Sequence, residues 1–223
     1  MEPCRIEELY DLNETIAKDL FEGAAYPWEV LPKIKDFILE LGKTLDPEEY
    51  THRQYGEDVW IHKSAVVFDS AYIHGPAIIC RDAEIRQCAF IRGSAIVGEH
   101  ATVGNSTELK NVVLFNHVEV PHYNYVGDSV LGFYAHMGAG AITSNIKADR
   151  KNIVVKGKNQ YETGRRKIGA ILGDWAEIGC NAVLNPGTIV GQHSQIYPTT
   201  CVRGIIPSWT IVKDNGEQKP KHD

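Results

Sequence analysis

The sequence predicts a mainly β fold in which short parallel strands wind into stacked coils, and three observations carry the prediction. An aliphatic residue recurs at every sixth position without a gap: Ile61, Val67, Ile73, Ile79, Ile85, Ile91, Val97, Val103 and Leu109. Four residues after each anchor stands a small one, namely Ala65, Ala71, Ala77, Ala83, Ala89, Ala95 and Ala101, with Thr107 and Val113 as the departures from alanine. A helix advancing about 100° per residue would scatter a six-residue repeat over several faces, whereas six is even and a strand keeps every marked residue on one face. The small residues permit a tight bend, so the chain coils, and stacked coils align the anchors into one continuous core.

The period slips by one residue at Leu114, resumes through Val120 and Val126, slips again at Leu131 and reaches Met137. It returns at Leu172, Ile178, Leu184, Val190, Ile196 and Val202, with Ala176, Ala182, Thr188, Ser194 and Thr200 in the small places. This pattern resembles a left-handed parallel β-helix of hexapeptide repeats, expected over residues 59–213.

Residues 1–58 precede the coils. Ile6, Leu9, Leu12, Ile16 and Leu20 mark one face of an amphipathic helix expected to end near Gly23. Leu31-Pro32 opens a second helix whose apolar face is Ile34, Phe37, Ile38 and Leu41, stopped by Gly42. The expected role is a helical cap over the open end of the solenoid, which would otherwise expose strand edges, or packing against a neighbouring subunit. A lid that specifies substrate is the sharper alternative.

Between Asn145 and Gly169 the repeat disappears and charge rises, so residues 146–168 are expected to leave one face as a loop, a place where function commonly sits. Its cations suit anionic ligands or solvent equally well. The tail, 214–223, is polar and expected to fray.

With 223 residues, 43% of them hydrophobic, the chain can bury a large core. A net charge of -6, with no basic run beside aromatic residues, argues against nucleic acid as a partner. The cysteines, Cys4, Cys80, Cys88, Cys180 and Cys201, are odd in number and lack CxxC pairs, which disfavours a disulfide framework and a zinc ribbon. No apolar signal core stands near the start, and no apolar run approaches the ~20 residues that span a bilayer. The expectation is a cytoplasmic protein without membrane contact.

The most distinctive stretch joins Glu108-Leu109-Lys110, then Pro121-His122-Tyr123-Asn124-Tyr125-Val126-Gly127-Asp128, then Met137-Gly138-Ala139-Gly140-Ala141-Ile142-Thr143-Ser144-Asn145. Over roughly residues 85–205 the chain resembles the acetyltransferase half of the bifunctional bacterial enzymes that make UDP-N-acetylglucosamine. It is also similar to the C-terminal domains of related sugar-1-phosphate nucleotidylyltransferases, to which Thr163-Gly164-Arg165-Arg166-Lys167-Ile168-Gly169-Ala170-Ile171-Leu172-Gly173-Asp174 adds a second link.

The resemblance implies an acetyl-CoA-dependent N-acetyltransferase acting on an amino-sugar phosphate or a nucleotide-linked amino sugar. It places the catalytic base on His122, the carboxylate that orients it on Glu108, and the backbone amide facing the acyl carbonyl on Ala139. Arg92, Lys110 and Lys167 would grip phosphate, with Tyr125 and His136 at the substrate. Acetyl-CoA contacts would fall on Ala139, Asn145, Ile146, Cys180 and Pro198. The chemistry suits these types: an amine attacking a thioester must lose a proton, and imidazole titrates near neutral pH. The resemblance further implies a homotrimer with sites at the subunit seams; no metal is expected. Two positions depart from the family: His136 replaces an asparagine and Cys180 a serine.

Each assignment has a plainer reading. Arg92 and Lys110 each follow an anchor and so point outward, where a charge is ordinarily solvated. Gly138 and Gly140 suit a tight corner, Cys180 a small filler, and Asp128 a turn. A non-catalytic trimeric binding or scaffold protein, partner of a separate nucleotidyltransferase, is the alternative function. Intrinsic nucleotidyl transfer is not expected, because the 58 residues before the first coil contain no glycine-rich nucleotide loop. His117 and His122 share the five-residue spacing of two zinc ligands in hexapeptide carbonic anhydrases, but no third histidine falls in register.

Overall fold

The sixth-residue anchors stack in three columns. In a computed structural model describing residues 3–222, the first column runs Ile61, Ile79, Val97, Leu114, Leu131, Leu172, Val190, Ile206, each paired in parallel with the next. A second joins Val67, Ile85, Val103 and Val120, and continues through Met137, Ile178, Ile196 and Val212. The third holds Ile73, Ile91, Leu109 and Val126, then Thr143, Leu184 and Val202. The fold is therefore a three-faced parallel β-solenoid with the anchors as its core.

From Ala83 to Thr107 the residue before each small one sits in the left-handed region. Asp82, Cys88, Ser94, His100 and Ser106 have φ between 52° and 58°. Each such turn ends one face and leaves no room inside for more than alanine or threonine. The two slips in the period have a structural cause: between Val97, Leu114 and Leu131 a coil takes 17 residues in place of 18. Strands Glu108–Leu114 and Tyr125–Leu131 then run unbroken around the corner between the third and first faces. Asn111 and Asp128 occupy the left-handed position there, with φ 55° and 49°.

The first face is apolar on both sides. Its outward residues Ile78, Ile96, Val113, Val130, Ile171 and Ile189 are as buried as the anchors, because the N-terminal segment lies along this face and not over an open end. Helix Ile34–Thr44 packs on strands Ala77–Ile79, Ala95–Val97 and Glu108–Leu114. Upstream, the Tyr10 ring packs tilted against Phe115, their centroids 4.9 Å apart, and Asp174 accepts the Asp11 and Phe133 N–H groups at 2.8 and 2.9 Å.

The first expected helix is instead a short helix, Ile6–Leu9, followed by single 3-10 turns at Leu12–Glu14, Lys18–Phe21 and Pro27–Glu29. Polar side chains divert its backbone: Asp11 accepts from Asn13 N–H and Thr15 from Ala17 N–H, while Asp174 takes the Asp11 amide. Gly42 lies inside the second helix, where an added Cβ would stand 2.4 Å from the Trp60 ring. The glycine admits the indole.

Met137 pairs with Ile178, 41 residues on, so the excursion is a long one. It is not a free loop. Ile146 and Lys167 bridge at its base, and Val154–Lys156 pairs antiparallel with Gln160–Glu162. Ile153 and Val155 are buried, and Tyr161 packs 5.5 Å from Tyr26 and 6.2 Å from Trp28. At the two ends the ladder meets antiparallel strands, Tyr50–Thr51 on the first coil and Gln218–Pro220 on the last. The tail that was expected to fray thus pairs, which blunts the terminal edges. No helix among the described residues is long and apolar enough to cross a membrane.

Candidate functional site

The predicted residues fall into two groups on different parts of the surface. His122 ends the second face, and the ladder places Asn105 opposite it. Carrying the same register forward puts Ala139, Cys180 and Pro198 at the same corner in the next coils. His122 is exposed, and its ring makes no hydrogen bond to any described residue; its amide donates to Asn124 Oδ1 at 3.1 Å. One coil on, the Ala139 carbonyl accepts from Asn181 N–H at 2.8 Å, whereas the Ala139 N–H donates to no described residue. The glycines flanking it are required by geometry. Gly140 has φ 72°, and a Cβ on Gly138 would stand 2.7 Å from the Cys180 nitrogen.

The second group occupies the third face and its far corner. Arg92 and Glu108 form an ion pair at 2.5 Å. Lys110 Nζ lies 3.4 Å from Asp128 Oδ1, which also accepts from Asn111 Nδ2 at 2.9 Å. Asn145 Nδ2 donates to Asp128 Oδ2 at 2.6 Å and to the Tyr125 hydroxyl at 3.1 Å. Burial first, then the Asp128 and Glu108 charges, push the Tyr125 phenol above its ordinary pKa. Lys167 stands beside this cluster through its bridge to Ile146 and makes no ion pair among the described residues.

Three expectations change. Glu108 does not meet His122; it faces outward on the third face one coil from Arg92 and spends its carboxylate there. His136 lies on the second face, away from Tyr125 and the cations, with Nδ1 2.9 Å from Glu177 Oε2. That hydrogen bond raises its pKa. Asp128 is more than a turn residue: it is 4% exposed and organises Lys110, Asn111 and Asn145. Its signal in the sequence was the break in period, since a missing residue brings the Asn111 and Asp128 corners of adjacent coils together.

His117 does not approach His122. It is stacked at 4.8 Å on His100 and 4.5 Å on Tyr134, at the corner between the first and second faces. No group of three or more histidine, cysteine or carboxylate side chains among the described residues is placed to hold a metal ion.

No family model matches the chain. The bifunctional protein GlmU of Methanococcus maripaludis is 32% identical over 213 residues, covering 96% of this chain and 52% of that one. A bifunctional sugar-1-phosphate nucleotidylyltransferase/acetyltransferase from Sulfurisphaera tokodaii is 36% identical over 156 residues, 61% of this chain and 39% of its own. The acetyltransferase domain of PglB from Neisseria gonorrhoeae, solved with acetyl coenzyme A, aligns with 73% of this chain and 57% of that chain at 20% identity, with a TM-score of 0.34. The chain spans about half the length, or less, of the curated relatives it matches. It is a hexapeptide-repeat β-solenoid related in sequence to the GlmU and sugar-1-phosphate nucleotidylyltransferase/acetyltransferase proteins.

Proposed function

We propose that the protein is an acetyl-CoA-dependent N-acetyltransferase whose acceptor is an amino-sugar phosphate or a nucleotide-linked amino sugar. The observation that carries this reading is the corner where an unpaired imidazole, His122, stands one coil from the unpaired main-chain N–H of Ala139. Adjacent strands are about 4.8 Å apart, so a carbonyl held at that N–H lies within reach of an amine held at the imidazole. His122 takes the proton as the amine attacks the thioester, the N–H stabilises the oxyanion, and the coenzyme leaves as a thiolate that recovers the proton. The name of the Sulfurisphaera tokodaii relative, a sugar-1-phosphate nucleotidylyltransferase/acetyltransferase, supports the same chemistry.

The two residue groups suggest how the acceptor is held. Arg92, Lys110 and Tyr125 sit on the third face with Lys167 beside them at the base of the excursion, and His122, His136 and Ala139 on the second face and its corner. A homotrimer in which the third face of one copy meets this corner of the next would complete each site with a phosphate grip from a second chain. Asp128 and Glu108 pre-orient two of those cations at the cost of part of their charge. Glu108 then serves as a positioning residue for Arg92.

His122→Ala is expected to lower kcat by 100-fold or more, within the roughly 10²–10⁴-fold worth of general-base catalysis, while acetyl-CoA binding by calorimetry stays within about twofold. Turnover of the variant at the wild-type rate would falsify the assignment. A wild-type protein that releases no free thiol with acetyl-CoA and a panel of amino-sugar phosphates would favour a binding or scaffold role. Mass measured in solution tests the trimer.

A further inference from the structure

Residues 146–168 hold eight cations and two carboxylates in a chain whose net charge is -6. The hairpin they form leaves a cavity of about 400 Å³ between itself and the corner of the two following coils. Lys147, Lys156 and Arg203 line it with Asn185 and the apolar Val154 and Pro186, and no carboxylate does. Lys147 is committed in part to Asp149, 3.4 Å away. Lys156 and Arg203 are exposed and form no ion pair or side-chain hydrogen bond among the described residues. Two glycines let the hairpin approach: a Cβ on Gly204 would lie 2.5 Å from the Lys156 carbonyl, and one on Gly187 2.6 Å from Ile153. Packing therefore fixes the backbone that carries these cations at the rim of a shaped cavity.

We infer that this pocket binds the phosphate groups of a nucleotide, and that the nucleotide is the acyl-CoA. The placement favours the coenzyme. Asn185 and Arg203 continue the outward column of Lys110 toward the C-terminal coils, four coil steps or about 19 Å from Lys110 to Arg203. Pro198 and Arg203 belong to one coil. In the trimer proposed above, where the third face of one copy meets the Ala139 corner of the next, a thioester seated at one copy's Ala139 N–H, with its pantetheine arm running past Cys180 and Pro198, brings its diphosphate toward the pocket of the facing copy, on the side away from Arg92 and the acceptor. Three cations facing a cavity floored by apolar atoms recognise a phosphate better than open surface charges do, because the ligand is partly desolvated there. This inference rests on the acyltransferase reading.

The test is the double variant Lys156→Gln/Arg203→Gln in the full chain, both positions being exposed and outside the packed core. Binding of CoA, of phosphate-free S-acetylpantetheine and of UDP-N-acetylglucosamine is measured by calorimetry at two salt concentrations. The variant is expected to bind CoA about tenfold more weakly, equivalent to ~1.4 kcal/mol, with a shallower salt dependence, and to leave S-acetylpantetheine unchanged. A folded variant that binds CoA as the wild type does overturns the pocket and leaves the acyltransferase reading standing. Weakened binding of the nucleotide sugar alone overturns the choice of coenzyme. Wild-type protein that binds no CoA and shows no acetyl transfer overturns both.

Discussion

Asn145 Nδ2 stands 2.6 Å from Asp128 Oδ2, and through this bond a residue at the root of the hairpin is tied to the corner of the preceding coil. The same carboxylate receives Lys110 and Asn111 on its other oxygen. Its main-chain carbonyl accepts from Gly169 N–H, where the hairpin returns, at 2.8 Å. Asp128 thus joins both ends of the excursion to the cations of the third face.

Asp128→Ala removes a buried acceptor and leaves three donors without it. The expected cost is about 1–3 kcal/mol, read as a fall in Tm of roughly 2–4 °C for each kcal/mol in a chain of this size. Asp128→Asn keeps the shape and recovers part of the loss. Thermal unfolding of the two variants checks the order, and an alanine variant as stable as the asparagine one contradicts it.

The coil architecture was legible because a six-residue period can satisfy burial only in strands, and every anchor from Ile61 to Leu109 except the half-buried Val67 is buried as that requires. Thr143 escaped notice since it holds an anchor position with a hydroxyl, which accepts from Gly127 N–H at 2.9 Å. The lateral docking of the N-terminal segment was also written in the chain, at a longer period. Ile78 and Ile96 follow alanines that begin the first face, Val113 follows Val112 at the same place in the ladder, and one hexad in three is apolar on its outward side. A face buried on both sides needs such runs. The pairing of Glu108 was not legible, because a one-dimensional motif cannot say which of two neighbouring outward groups, Arg92 or His122, a carboxylate will meet.

Asp174 gives the N-terminal dock a pH dependence. Burial pushes its carboxyl up to about 6, against the lowering effect of the Asp11 and Phe133 N–H groups. An unfolded aspartate titrates near 3.9, so between about pH 4 and 6 the folded protein holds a proton that the unfolded chain has lost. Stability from this group is full below that window and falls as pH rises through it, by up to about 3 kcal/mol. The difference in unfolding free energy between wild type and Asp174→Asn, followed from pH 4 to 7, is expected to shift in favour of the variant as pH rises. A difference that stays flat sinks the prediction.

Two histidines are expected to titrate on opposite sides of the ordinary value. The Glu177 hydrogen bond raises His136, whereas burial and the neighbouring His100 lower His117. His136 therefore remains protonated to higher pH, and its pairing with Glu177 is lost as pH rises through that raised value. The contribution of such a partly exposed pair is about 0.2–1 kcal/mol. Side-chain NMR titration orders the two rings directly, and Glu177→Gln should bring His136 back toward the ordinary value while leaving His117 in place.

Gly138 links the fold to the chemistry at the His122 corner. An alanine there would press its Cβ to 2.7 Å from the Cys180 nitrogen and 3.0 Å from its sulfur, and backbone on both sides leaves neither coil free to yield. Overpacking of this kind costs about 1–3 kcal/mol. The strain has to be relieved by moving the Ala139 peptide, whose N–H is the proposed oxyanion donor. Gly138→Ala should therefore lose kcat by more than its loss of stability explains, with KM for the acceptor amine little changed because Arg92 and Lys110 lie on another face. A control at Gly98, where a Cβ would crowd the Phe115 carbonyl at 2.5 Å at a corner remote from His122, should lose stability and keep kcat in the protein that remains folded. Equal kcat losses in the two variants would mean that the Ala139 amide plays no part in the reaction.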